Sequence, residues 1–506
     1  MVFKQVTLSY RDLWQSVEQV AAALRRLGVE RDERVAVYLP KQFETVFTLF
    51  GAAAAGGVFV PVNPILKPEQ VGHILRDCQT RVLVTSADRA GVLAETLADC
   101  PDLRHIVITG DKVPDPLPAC PCPLLGWQAF IDDAGPAPAL RRIDADMVAI
   151  LYTSGSTGRP KGVVLSHRNM MAGAASVSTY LHNVPEDRLL AVLPFSFDYG
   201  LSQLTTAFRI GASVVLMDYL LPRDVIKAVA RHGITGLAAV PPLWNQLCAL
   251  PWPDEAVSTM RYITNSGGAM PVSTTQQLKA SLPRTDVYLM YGLTEAFRST
   301  YLPPDQVDVR PESMGKAIPN ADIQVVRPDG SECDVDEPGE LVHRGALVAL
   351  GYWGDLEKTA IRFKPAPGLP DGLPNPELAV WSGDQVRRDA EGFLYFIGRN
   401  DEMIKTSGYR VSPGEIEEVV FQVDGVEQAV AFGAPHPQVG SGIVLVVQAS
   451  PEVVDADAIM AHCRVHLPMF MLPGHIEILD ALPRNPNGKI DRKSLADRYH
   501  QVFGQA

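Results

Sequence analysis

Residues 152–162 read Tyr-Thr-Ser-Gly-Ser-Thr-Gly-Arg-Pro-Lys-Gly, a run rich in hydroxyls and glycine that ends in a single lysine. Gly155 and Gly158 open backbone conformations closed to other residues, so successive N–H groups can face one concavity suited to an anion. Thr153, Ser154, Ser156 and Thr157 bring hydroxyls, and Lys161 brings a compact positive charge. That combination is a phosphate cradle. It is not a Walker loop, because Pro160 precedes Lys161 and Gly162 follows it. A plain polar turn of the same composition is the alternative.

Further segments with chemical potential lie downstream. Tyr291-Gly-Leu-Thr-Glu295 follows an apolar run, so Thr294 and Glu295 fall at the carboxyl edge of a strand. Asn265-Ser-Gly-Gly-Ala-Met270 also follows a strand-like run, and Gly267, Gly268 and Ala269 leave room for a flat base against the backbone. A simple glycine turn explains them equally well. Trp381-Ser-Gly-Asp384 offers a bidentate acceptor. Pro483-Arg-Asn-Pro-Asn-Gly-Lys-Ile-Asp-Arg492 sets Lys489 after a turn that can project it across a gap between domains. Asp198, in Ser196-Phe-Asp-Tyr-Gly200, is open to two readings. It either caps a helix near 201 or, as a carboxylate beside a pocket, pairs with a cation.

These segments, in this order, resemble the adenylate-forming superfamily of acyl-CoA synthetases, amino-acid adenylation domains and luciferases. The finer pattern of Ser196-Phe-Asp-Tyr-Gly200 and Gly292-Leu-Thr-Glu-Ala-Phe-Arg-Ser-Thr300 is most similar to AMP-forming acyl-CoA ligases of the exosortase A-associated type. The resemblance implies that residues 153–161 hold the phosphates of ATP, and that Tyr291 and the 267–269 turn face the nucleotide. It implies that Thr294 meets the α-phosphate and that Glu295 binds Mg2+. Asp384 and Arg399 correspond to the ribose partners, and Lys489 to the lysine that assists acyl-adenylate formation. Asp401, in a pair completed by Glu402 where the family often has two aspartates, matches a hinge. Gly408 matches the residue beside the path of a pantetheine thiol. Phe197 matches the aromatic of the acyl site, and amino-acid-activating members carry Phe-Asp here, with the aspartate on the substrate ammonium. The implied reaction joins a carboxylic acid to AMP and passes the acyl group to CoA. The alternative is a free-standing enzyme that loads an amino acid onto the phosphopantetheine of a carrier protein.

The elements that must position these residues follow from patterning. The chain has 506 residues, beyond the reach of one core, and its 46% hydrophobic and 20% charged content is that of a globular protein. A net charge of -13 argues against a nucleic-acid partner. The start lacks a secretory pattern, and the most apolar stretch, 47–62, is interrupted by glycines and too short to span a bilayer, so a cytoplasmic protein is expected. Seven cysteines show no metal or redox spacing.

Alternating strand-like and helical segments over 12–85, and again over 189–290, predict two doubly wound βα lobes that meet at the carboxyl ends of their strands. Strands are expected at 189–193 and 287–290, and helices over 167–181, 201–209 and 491–503. From about 321 to 398 short β segments and turns predict a small β-barrel-like subdomain, with a proline-rich surface insertion at 364–376. The expected organisation is α/β: an N-terminal domain over 1–398, a hinge at 399–402, and a mobile α+β C-terminal domain over 403–506.

Overall fold

A computed structural model describes residues 1–110, 122–132, 135, 142–153, 160–370, 372–399, 403–449, 454–483 and 490–504. The large N-terminal part is built on two sheets flanked by helices. An eight-stranded sheet runs, edge to edge, through Gly351–Tyr352, Lys161–Ser166, Met147–Thr153, Val58–Pro61, Arg34–Tyr38, Thr80–Ser86, His105–Thr109 and Leu124–Gly126. Strands such as Arg34–Tyr38 and Val58–Pro61 are buried at every position, as parallel strands covered on both faces must be.

The nine-stranded sheet has a parallel centre formed by Ser213–Leu216, Arg188–Ala191, Gly236–Ala239, Tyr262–Asn265 and Asp286–Tyr291. Antiparallel strands Thr300–Leu302 and Lys316–Ala317 extend one edge. Its other edge comes from the extreme N-terminus: Val2 pairs in parallel with Val215, and Tyr10 donates its hydroxyl to the Ala212 carbonyl at 2.7 Å. The lobes are therefore not strictly consecutive in sequence, because these first residues join the second sheet before helix Tyr10–Arg26 starts the first lobe.

Three local differences from the expected elements bear on the site. An additional strand, Lys161–Ser166, runs antiparallel to Met147–Thr153 ahead of the expected helix. That helix spans His167–Tyr180, and Ser166 caps it by accepting from the Asn169 N–H. Second, Gly351–Tyr352 leaves the β-rich region and pairs with Val163 and Val164 of that hairpin. Third, the helix expected from 201 starts at Asp198, with Phe197 as its N-cap residue.

Strands Ala321–Val326, Gly339–Gly345, Leu378–Arg388 and Phe363–Pro365 form a small antiparallel sheet, with Leu394–Arg399 paired to Leu378–Arg388. Beyond it, the C-terminal part is a five-stranded sheet of its own, centred on Val426–His436 and Gly440–Ala449. Helices Pro413–Val420 and Ala456–His466 contribute to one apolar cluster, and helix Arg492–Arg498 to a second. That last helix ends well short of the expected 503, and Arg492 clasps Glu417 with two hydrogen bonds of 2.8 and 2.9 Å. Among the described residues no helix is long and apolar enough to cross a membrane.

Gly200 fixes how the helix carrying Asp198 meets its strand. A Cβ there would stand 2.0 Å from the Pro194 carbonyl oxygen, so the first turn can lie against residues 193–194 only without a side chain. Gly200→Ala is expected to destabilise the fold by about 1–3 kcal/mol, the usual cost of overpacking, as measured by urea unfolding.

Candidate active site

The carboxyl ends of both sheets open onto a cleft of about 1200 Å³, closed on its far side by the C-terminal part. Thr153, Phe197, Asp198, Gly267, Thr294 and Asp384 line it from the large body, and Gly408, Tyr409 and Arg410 from the smaller one.

Glu295 lies in the short 3-10 turn Thr294–Ala296 that ends strand Asp286–Tyr291, and only 1% of it is exposed. Tyr352 donates its hydroxyl to Oε1 at 2.7 Å, Lys161 Nζ stands 3.4 Å from the same oxygen, and Arg410 lies 3.9 Å from Oε2. Oε2 has no hydrogen-bond partner among the described residues. Burial opposes the carboxylate's charge, but Lys161, Arg410 and Arg362 outweigh it and hold the group far below the usual carboxylate range. Lys161 donates to Tyr352 Oη at 2.7 Å and lies over its ring, 4.0 Å from the centroid. Burial lowers Lys161 to about 8, with Glu295 pulling the other way. Three cations thus face one carboxylate, and the surplus positive charge suits a polyanion.

Thr294 donates to Asp198 Oδ1 at 3.3 Å, with both residues buried. Asp198 makes no cap of the kind the alternative reading required: it is the first residue of its helix and belongs to the cleft. Burial raises its carboxyl to about 6 against the pull of Arg298. Arg298 is 2% exposed, donates to Ser266 Oγ at 2.8 Å and lies over the Tyr199 ring.

At the opposite end of the cleft Tyr291 donates its hydroxyl to Asp384 Oδ2 at 2.5 Å. The strand register sets Arg399 directly beside Asp384, so those two expected ribose partners are backbone neighbours. Gly267, at φ 81°, sits between Val240, Phe197 and the Gly408 carbonyl. Gly268 accepts from Asn265 Nδ2 at 3.0 Å; neither it nor Ala269 lines the cleft. Gly408, also at φ 81°, has Val240 so near that a Cβ would stand 2.9–3.0 Å from its side chain. The turn at 407–408, between strands Ile404–Thr406 and Tyr409–Val411, is thus pressed against the large body. A second cavity, of about 1330 Å³, shares Phe197, Gly408 and Tyr409 with the cleft and reaches Lys41 and Arg89. Ser154, Gly155, Ser156, Thr157, Gly158, Asp401 and Lys489 lie outside the described residues.

Tyr352, Arg298 and Arg410 escaped the sequence reading. Arg410 stands two residues after Gly408, and Arg298 three after Glu295, inside segments singled out for other members. Tyr352 had only a weak signal, an aromatic pair flanked by Gly351 and Gly354.

Comparison with known proteins agrees with this architecture. Residues 1–353 match the family of AMP-binding enzymes and residues 415–489 the AMP-binding enzyme C-terminal domain. The L-proline--[L-prolyl-carrier protein] ligase of Streptomyces coelicolor is 33% identical over 96% of this chain and 91% of that protein. A long-chain-fatty-acid--CoA ligase of Salmonella typhimurium is 29% identical over 97% of this chain and 90% of that protein. Several much longer synthases are also similar, and of these the chain spans only 6–13%. In fold, the chain is similar to a double mutant of o-succinylbenzoate CoA synthetase from Bacillus subtilis. The TM-score is 0.83 at 24% identity, over 98% of this chain and 95% of that one. With a family match over most of its length, and with Thr294, Asp384 and Gly408 around one cleft, the chain belongs to the AMP-binding enzymes and is an ATP-dependent, adenylate-forming ligase.

Proposed function

We propose that the cleft activates a carboxylic acid in two half-reactions and delivers it to the thiol of CoA. In the first, a carboxylate oxygen attacks the α-phosphorus of ATP, the bond to the β-phosphate bridge breaks, and acyl-AMP and pyrophosphate form. Thr294 meets the α-phosphate, Lys161 and the 153–161 segment receive the departing phosphates, and Asp384 and Arg399 take the ribose. Lys489 neutralises charge where acid and phosphate approach. In the second, the thiol sulfur attacks the acyl carbonyl, the C–O bond to AMP breaks, and the thiol proton leaves. Glu295 Oε2, buried and without a hydrogen-bond donor among the described residues, suits a Mg2+ ion that would offset phosphate charge. Among the described residues no cluster of three acidic, histidine or cysteine side chains could hold a metal, so phosphate oxygens would complete its coordination.

The observation that carries the thioester reading is the turn at Gly408, packed onto Val240 between the cleft and the second cavity. A pantetheine arm would approach the acyl group along that side of the turn. A second reading, an amino acid loaded onto a carrier-protein phosphopantetheine, is favoured by the buried Asp198 beside Thr294. Its support from outside the chain is the proline–carrier-protein ligase among its relatives.

Incubation with ATP and an acid panel, with CoA in one arm and a phosphopantetheinylated carrier protein in the other, separates the two by which thioester appears. Thioester on CoA supports the first reading, thioester confined to the carrier supports the second, and absence of both defeats the proposal.

Gly408→Val is expected to cut thioester formation from supplied acyl-AMP by about 100-fold or more while acid-dependent pyrophosphate release stays within about tenfold, because the side chain would meet Val240 only in this arrangement. Equal losses in both assays would reject the assignment.

The shift of Lys161 sets a pH window. Its folded value, about 8, lies below the 10.5 of the unfolded chain, so between these values the folded protein has released a proton the unfolded chain keeps. Stability from this group therefore rises with pH across the window, while anion binding fades. Pyrophosphate affinity of the ligand-free protein is expected to weaken above pH 8 by up to about tenfold per unit, by calorimetric titration, and Lys161→Met should flatten that slope.

A further inference from the structure

Arg298 borders two spaces. It lines the cleft with Asp198 and Thr294, and it also lines a small inner space of about 10 Å³, with Ser202, Gln203 and Thr206 among its walls. The residue is 2% exposed, its Nη1 donates to the neutral Ser266 hydroxyl at 2.8 Å, and its Nε has no hydrogen-bond partner among the described residues. The Tyr180 hydroxyl is a further neutral partner of the guanidinium, and a buried cation hydrogen-bonded to neutral hydroxyls retains an electrostatic claim on an anion.

Asp198 is the carboxylate that balances Arg298 in the ligand-free pocket, and Thr294 is its hydrogen-bond donor. All three residues line the one cleft. An acid whose reacting carboxylate sits at Thr294 presents its other groups to Asp198 and Arg298 along the same cleft. A long alkyl chain following that route would have to displace the buried cation. A neutral amino acid would place its ammonium on Asp198 and deprive Arg298 of its counter-charge. A simple dicarboxylate would set two further anions beside Asp198 in a site with little water. A ligand bearing both an ammonium and a second carboxylate leaves no charge unanswered.

Resting on the reading that this cleft activates a carboxylic acid, we propose that its substrate is a short amino-dicarboxylic acid, with the ammonium on Asp198 and the distal carboxylate on Arg298. Arg298 is then the residue that sets specificity for the distal group. Its planar fork can engage that carboxylate through two parallel hydrogen bonds.

The test is acid-dependent pyrophosphate release over a matched panel: aspartate, glutamate and 2-aminoadipate; their side-chain amides; the aliphatic isosteres; succinate and glutarate; and hexanoate. One amino-dicarboxylic acid is expected to exceed its amide by about 100-fold or more in kcat/KM, since a site built for a buried charged partner rejects the analogue that lacks it. In Arg298→Gln that ratio should fall to within about tenfold, and Arg298→Lys should recover part of it. Best turnover with a neutral amino acid, a plain dicarboxylate or hexanoate overturns the proposal on the unaltered protein, whatever the variants do. Uniform loss across all acids in Arg298→Gln overturns the specificity role. Release with none of the panel or of a wider set of acids overturns the adenylation reading as well, so the two failures are distinguishable.

Discussion

The site depends on one buried carboxylate. Glu295 ends a strand of the nine-stranded sheet, Lys161 starts a strand of the eight-stranded sheet, Tyr352 belongs to a two-residue strand on its edge, and Arg410 comes from the C-terminal part. All of them converge on the two oxygens of Glu295. An isolated carboxylate at 1% exposure would take up a proton rather than bear the desolvation cost. Here the surrounding cations keep it charged, and its charge lets Lys161 and Arg410 stand in the same dry space. Removing any one partner leaves the rest uncompensated, which is why buried charge networks are costly to break even where they add little net stability. The network also joins separate parts of the chain at the one place where the cleft must be shaped.

The acid-binding end follows the opposite logic. Asp198 and Arg298 are held apart by packing: the helix start is fixed by Gly200 against Pro194, and Arg298 is fixed by Ser266 and the Tyr199 face. Tyr199 is itself tied to Thr264 by a hydroxyl contact of 2.5 Å. The charges balance through space, and neither is fully served. Rigid walls with an incompletely satisfied pair at the floor favour selection among ligands, because a wrong ligand leaves a buried charge worse off than no ligand does.

Much of this was legible in the sequence, for a physical reason. Thr294, Glu295 and Gly408 sit in short turns beside strand ends, where local sequence dictates the backbone and so carries a recognisable pattern; Asp384 lies within strand Leu378–Arg388, after Gly383 at φ 70°. Tyr352 was not legible, because its place depends on Gly351 and Tyr352 pairing with Val164 and Val163, a contact across 187 to 189 residues that no local pattern encodes. Arg298 was hidden by its neighbourhood: beside Thr294 and Glu295 a cation reads as an exposed loop residue, and only burial reveals it as part of the floor. The strand Lys161–Ser166 was not foreseen: its apolar run of Val163, Val164 and Leu165 is short and follows Gly162 directly, and its burial comes from pairing with Met147–Thr153 and Gly351–Tyr352. Strands Val2–Phe3 and Val6–Thr7 belong to a sheet whose remaining members begin almost two hundred residues later, a topology that alternation alone does not reveal.

In the proposed reaction the position of the C-terminal part is coupled to phosphate occupancy through Arg410. With Arg410 3.9 Å from Glu295 Oε2 and the Gly408 turn against Val240, the smaller body contributes positive charge to the space where Lys161 would receive the terminal phosphates. A triphosphate with its cation would satisfy Lys161 and Glu295 without Arg410, which would remove this one charge contact between the two bodies while ATP is whole. Departure of pyrophosphate would remove that charge and restore Arg410 as a counter-ion for Oε2 of the buried Glu295. The same event that completes acyl-AMP then favours the arrangement in which Gly408 borders the thiol passage. No separate signal is needed to order the half-reactions, because the leaving group is what releases the carboxylate.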